Sequence, residues 1–260
     1  MAGIRPLKAL GQHFLKNRDM AMSIAMALSA QARQGTVLEI GPGTGILTSC
    51  LLEAEINKLH CVEVDERSVE YLHNHFPQLK GKVHLADFLT ADLSFLGNGS
   101  FSVIGNFPYN ISSQILFRVL DMYEHVPELV GMFQKEVAMR IASPPGNKDY
   151  GILSVLLQAR YDIEYLFTVP PIAFDPPPKV DSGVIRMVLK ADHRLGCDEV
   201  LFKKVVKTAF NQRRKTMRNS LKSLLPAAYD QVPYLDKRPE QLGFASFVEL
   251  TNTLAGMGAR

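Results

Sequence analysis

Short apolar runs alternate with longer mixed stretches through the first half of the chain. TVLEI (36–40), LHCVEV (59–64), KVHLA (82–86), FSVIGN (101–106) and ELVGMF (128–133) are apolar at most positions, with no clean alternation. Strands covered on both faces of a parallel sheet read this way. The stretches between them, such as Glu66–Phe76 and Ser112–Tyr123, are long enough for crossover helices. Together they predict a doubly wound, Rossmann-like α/β sheet. Two further strands are predicted near Tyr161–Val169 and Gly183–Leu189, joined by a proline-rich loop. Beyond about Lys190 the pattern changes. Leu201, Val205 and Ala209 form one helical stripe, and Phe202, Val206 and Phe210 another. The pattern divides the chain into an α/β domain over 1–192 and a small helical domain over 193–260.

Composition narrows the class without naming a function. With 260 residues, 47% of them hydrophobic and 21% charged, the chain can bury a proper core. Disorder and fibrous repeats are excluded. Met20–Leu28, the longest weakly polar run near the start, is too short to span a bilayer, and no basic-then-apolar leader precedes it. The cytoplasm is the expected location. Cys50, Cys61 and Cys197 lie far apart, with no CxxC spacing, which suits a reducing compartment and offers no zinc site. His73 and His75 are two apart, and on a helix they point to different faces, as surface residues do. No metal is expected.

The net charge of +3 says little, but its distribution says more. From Val200 to Tyr229 eight of the 29 basic residues occur with no acid among them. They are Lys203, Lys204, Lys207, Arg213, Arg214, Lys215, Arg218 and Lys222. Elsewhere 21 basic residues face 26 acidic ones, a balance of −5. Ordinary surface helices mix signs for i,i+4 pairing, so an acid-free run reads as a phosphate-binding ridge for RNA.

Three motifs carry chemistry. LEIGPGTGILT sits where the first strand hands over to a helix, and Gly41, Gly43 and Gly45 allow a tight turn open to a ligand. The spacing is GxGxG rather than the GxGxxG of dinucleotide sites, which suits the amino-acid end of S-adenosylmethionine. Eighteen residues after Gly45, at the end of the second strand, Glu63 can accept both ribose hydroxyls. The alternative is a structural glycine turn beside a solvated acid. Asp87, at the end of the third strand, suits the adenine end of that cofactor, and equally a helix N-cap.

GNFPYNIS (105–112), after the fourth strand, is the most specific motif. The exocyclic amine of adenine is a poor nucleophile because its lone pair is delocalised into the ring. Acceptors on its hydrogens favour the pyramidal form. The Asn106 side-chain oxygen and the Pro108 carbonyl can supply them, and Tyr109 offers a stacking face. A proline-bearing turn with asparagine as a local cap is the plainer reading. Phe174 lies in a loop stiffened by five prolines between Pro170 and Pro178, as a stacking partner or as a hydrophobic plug.

The chain resembles the KsgA/RsmA family of ribosomal RNA adenine dimethyltransferases, and the likeness runs over nearly its whole length. LGQHFL (10–15), EIGPGTG, VEVD, GNFPYNIS, KDYGILS (148–154) and FDPPPKVDSGVIR (174–186) appear in the family's order. His13 stands where the family commonly has asparagine, and Phe107 where it commonly has leucine. The resemblance implies a class I methyltransferase domain that uses S-adenosylmethionine. It also implies dimethylation of two adjacent adenines near the 3′ end of small-subunit (16S) rRNA, by a monomer acting on a late pre-small-subunit particle. It places His13, Leu15, Gly41, Glu63, Asp87 and Asn106 around the cofactor, with Phe174 facing Tyr109 across a flipped adenine. Two rivals share these features: a macrolide-resistance methyltransferase of large-subunit rRNA, and a non-catalytic assembly factor.

Overall fold

The computed structural model describes residues 4–7, 10–227 and 229–258. Its strands are β1 (Phe14–Leu15), β2 (Thr36–Ile40), β3 (Leu59–Glu63), β4 (Val83–Leu85), β5 (Phe101–Asn106), β6 (Glu128–Gln134), β7 (Tyr161–Val169), β8 (Phe174–Asp175) and β9 (Ser182–Leu189). The helices are α1 (Arg18–Met26), α2 (Ala30–Gln34), α3 (Ile46–Glu53), α4 (Glu66–His75), α5 (Ser112–Asp121), α6 (Lys135–Ala142), α7 (Ile152–Gln158), α8 (Glu199–Asn211), α9 (Met217–Ser220) and α10 (Phe244–Gly256). All seven strands read from the apolar runs are present. The pair β1–β8, two residues each, was too short to show as a pattern.

Seven strands form one sheet in the order β4-β3-β2-β5-β6-β9-β7. Strands β2 to β6 run parallel, and β9 lies antiparallel against β6. The chain builds from β2 outward through β3 and β4, then returns to β5 and builds the other way. Loops leaving the carboxyl ends of β2 and β5 therefore part and open a crevice. The core beneath it includes Val37, Leu51, Cys61, Leu72, Ile104 and Val130, all fully buried. His73 and His75 are exposed at the end of α4.

The chain divides into two compact units. One comprises Met1–Ala138 and Glu164–Leu189; the other comprises Met139–Ile163 and Lys190–Arg260. In the second, Leu201, Phe202, Val205, Val206, Ala209 and Phe210 of α8 are all buried, so both predicted stripes face its interior. Asp198 caps α8 by accepting from the Leu201 N–H. No helix among the described residues is long and apolar enough to cross a membrane. No group of three metal-ligating side chains occurs among them either.

Candidate active site

At the end of β2 the chain turns through Gly41, Gly43 and Gly45, all at positive φ. Gly43 has two reasons to be glycine: its φ is 55°, and a Cβ there would fall 2.8 Å from the Phe14 ring. Nothing lies within 4 Å of a Cβ built on Gly41, so that position is open to a ligand.

Glu63, at the tip of β3, ties the neighbouring strand to this turn. Its carboxylate accepts from the N–H groups of Gly43 (3.0 Å), Val64 (2.8 Å) and Asp65 (2.9 Å). Burial raises its pKa, and the three backbone donors oppose that rise. A carboxylate offers about four acceptor sites, so capacity remains for a further donor. Two residues before the turn, Glu39 is enclosed by protein and accepts from the Thr48 hydroxyl (2.8 Å) and the Cys61 thiol (3.7 Å). Burial pushes its carboxyl up to about 8.

Asn106 ends β5, and its Nδ2 donates to the backbone carbonyl of His13 at 2.9 Å. That bond fixes the amide, leaving Oδ1 as an acceptor. The Pro108 carbonyl takes the Ile111 N–H at 3.2 Å and keeps a second lone pair. The Tyr109 hydroxyl is 2.6 Å from the Ser182 hydroxyl, and its ring stacks on His13. Burial raises the Tyr109 pKa, and the bond to Ser182 opposes the rise. Phe107 borders the same space as Asn106 and Tyr109, but its ring packs into the core. Its ring is 1% exposed, packs edge-on against Phe133, and lies where a Cβ on Gly105 (2.7 Å) or Gly131 would collide with it. Two glycines thus make room in the core for its bulk.

His13, Gly41, Gly43, Glu63, Asn106, Pro108 and Tyr109 all line one cavity. Leu15, Asp87 and Phe174 stand outside its lining. Leu15 is 4% exposed and pairs through its backbone with Phe174, whose ring is fully buried in the core. A slot with Tyr109 on one side and Phe174 on the other is therefore not open here: His13 covers Tyr109, and the core encloses Phe174. Asp87 is exposed, and its Oδ1 accepts from the Leu89 N–H at 2.9 Å, leaving the second oxygen available. The cavity itself has about 50 Å³. Residues 10–14 form one wall of it.

Several supporting residues carry no motif. Gln12 donates to Asp65 at 3.0 Å and so ties the N-terminal segment to the end of β3. The Arg118 guanidinium donates to the Phe88 and Ala91 carbonyls and holds the turn that carries Asp87. Ser182 and Arg118 are distant in sequence from the groups they hold, and only the fold brings them close.

The predicted RNA ridge is not one helix. Lys203, Lys204 and Lys207 lie on α8, Arg213, Arg214 and Lys215 on the turn after it, Arg218 on α9, and Lys222 beyond. Arg214, Lys215, Arg218 and Lys222 are exposed. Arg213 is half-buried, and its guanidinium donates to the carbonyls of Asn147 and Lys148.

A sheet with one antiparallel strand inserted beside β6, a glycine turn after β2 and an acid at the tip of β3 define a class I S-adenosylmethionine-dependent methyltransferase. The chain belongs to the ribosomal RNA adenine dimethylase family, which it matches over residues 5–250. It is an enzyme that uses S-adenosylmethionine to dimethylate adenine in ribosomal RNA. A ribosomal RNA small subunit methyltransferase A of Parabacteroides distasonis is 58% identical over 250 residues, 95% of this chain and 93% of its own. The crystal structure of a dimethyladenosine transferase from Plasmodium falciparum has a TM-score of 0.80 at 24% identity, over 95% of this chain and 99% of its own. The 23S rRNA methyltransferase ErmE has a TM-score of 0.66 at 28% identity, over 92% of this chain and 99% of its own.

Proposed function

We propose that the chain dimethylates the exocyclic amines of two adjacent adenines near the 3′ end of small-subunit (16S) rRNA. The observation that carries the chemical reading is the orientation of Asn106. Its Nδ2 is held by the His13 carbonyl, so Oδ1 is the atom left for an adenine N–H. With the Pro108 carbonyl beside it, two acceptors meet the two hydrogens of the amine and favour its pyramidal, nucleophilic form. Tyr109 stacks the base, a contact worth about 1–3 kcal/mol. The alkylated ammonium is acidic enough to release its proton without a general base. When bound, S-adenosylmethionine supplies an electrophilic methyl group on its sulfonium.

In this reading Glu63 accepts from the ribose hydroxyls, and Gly41 and Gly43 admit the amino-acid end. The free oxygen of Asp87 takes the adenine amine of the cofactor. His13 and Leu15 contribute through their backbone, and Phe174 braces the loop behind the base. The basic residues from Lys203 to Lys222 dock rRNA phosphates, on a late pre-small-subunit particle in the cytoplasm, with the enzyme acting as a monomer. The name of the Parabacteroides distasonis relative supports the small subunit, and the likeness to ErmE makes the large subunit the alternative to test. The enzyme is incubated with methyl-labelled cofactor and undermodified small or large subunits, and the labelled nucleotides are mapped. Label is expected in two adjacent adenines of the small subunit. Label in large subunits alone would contradict the proposal.

A further inference from the structure

His13 touches both halves of the adenine-binding turn. Its backbone carbonyl holds the Asn106 amide at 2.9 Å. Its ring lies against Tyr109 with centroids 5.6 Å apart and planes at 28°, inside the range of about 4.5–7 Å for aromatic pairs. The ring is itself tethered. Nδ1 is 2.8 Å from the Pro176 carbonyl, and a carbonyl only accepts, so Nδ1 carries the proton and donates. A flat heteroaromatic ring, fixed by one hydrogen bond, therefore lies against the ring of Tyr109, and both residues line the cavity. The cavity that the two rings border is small, about 50 Å³.

We propose that His13 is a stand-in for the target base, a positioning residue that occupies the adenine's seat on Tyr109 until RNA displaces it. The inference rests on the reading of Tyr109 as the stacking platform. Displacement need not disturb Asn106, because the contact to that amide runs through the His13 backbone and not its ring. The functional consequence is selectivity. Any free adenine nucleotide has the right flat face for Tyr109, but it lacks the phosphate contacts that would offset the cost of moving His13. A binding-competent seat present only in a fraction of molecules weakens a ligand's apparent affinity by that fraction. Adenine within docked rRNA can bear that cost.

The test is binding of 2-aminopurine riboside to the full chain, followed by the quenching of its fluorescence on stacking. The chain has no tryptophan, so the background is low. His13→Ala and His13→Asn are each compared with the unaltered enzyme. Asn keeps a donor for Pro176 but has no ring, which separates stacking from the tether. Both variants are expected to bind the nucleoside about tenfold more tightly, as a seat open in roughly a tenth of molecules would give. Adding Tyr109→Ala to either should remove the gain. Equal or weaker binding in both His13 variants would overturn the stand-in role. Tight binding that survives Tyr109→Ala in the His13→Ala background would instead remove Tyr109 as the platform, and the stand-in role with it.

Discussion

Glu63 has a structural part to play beside the ribose contact proposed for it. Its three backbone donors include Gly43, so the carboxylate shapes the glycine turn before any cofactor arrives. Glu63→Ala should weaken S-adenosylmethionine binding by about 1–3 kcal/mol in calorimetry, as loss of a charged acceptor does. Unchanged affinity would place the ribose contact elsewhere. Glu39 makes a separate prediction about pH. Its folded pKa, about 8, lies above the ordinary 4.5, so the folded state holds a proton that the unfolded chain releases. The stability it contributes is complete below the unfolded pKa and is lost as pH climbs through the folded one. Glu39→Gln retains an acceptor for Thr48 and cannot ionise. Its Tm relative to the unaltered protein should rise between pH 5 and pH 9, by the equivalent of on the order of a few kcal/mol. A difference that stays flat with pH would show that Glu39 is not held protonated.

At the scale of elements, what could be read in advance followed burial. Parallel strands covered on both faces are continuous apolar runs, so β2, β3, β5 and β6 stood out within a residue or two. Strand direction leaves no such trace: nothing in SGVIRMVL says that β9 runs against β6. The cavity's lining was legible where a single turn holds its residues, as at Gly41–Gly43 and Asn106–Tyr109, and illegible where distant segments meet. The β1–β8 pairing that buries Leu15 and Phe174, the stacking of His13 on Tyr109, and the space for Phe107 between Gly105 and Gly131 each join parts of the chain that share no local pattern. The basic ridge was visible as charge, but its internal division was not. Arg213 holds the carbonyls of Asn147 and Lys148, whereas Arg214, Lys215 and Lys222 face solvent. Neutralising Arg214, Lys215 and Lys222 together should flatten the salt dependence of subunit binding, by about one unit of slope for every rRNA phosphate left without its cation. An unchanged slope would return these residues to ordinary surface.

At the scale of the molecule, charge and chemistry are distributed unevenly along one chain. An acid-free basic segment belongs to the unit that includes Lys190–Arg260, while the glycine turn, Glu63 and the Asn106–Tyr109 turn lie in the sheet unit. Dimethylation asks more of the site than a single transfer. The second reaction needs space for the first methyl group and one acceptor for the remaining hydrogen. Asn106 and Pro108 can each present an oxygen to that hydrogen, and the ring of Phe107 is packed in the core against Phe133. The most direct measurement is mass spectrometry of nucleosides from undermodified small subunits treated to completion with excess S-adenosylmethionine. Dimethyladenosine, two per subunit, is the predicted product. Monomethyladenosine as the sole end point, with fresh cofactor still present, would contradict the account of the site given by Asn106, Pro108 and Tyr109.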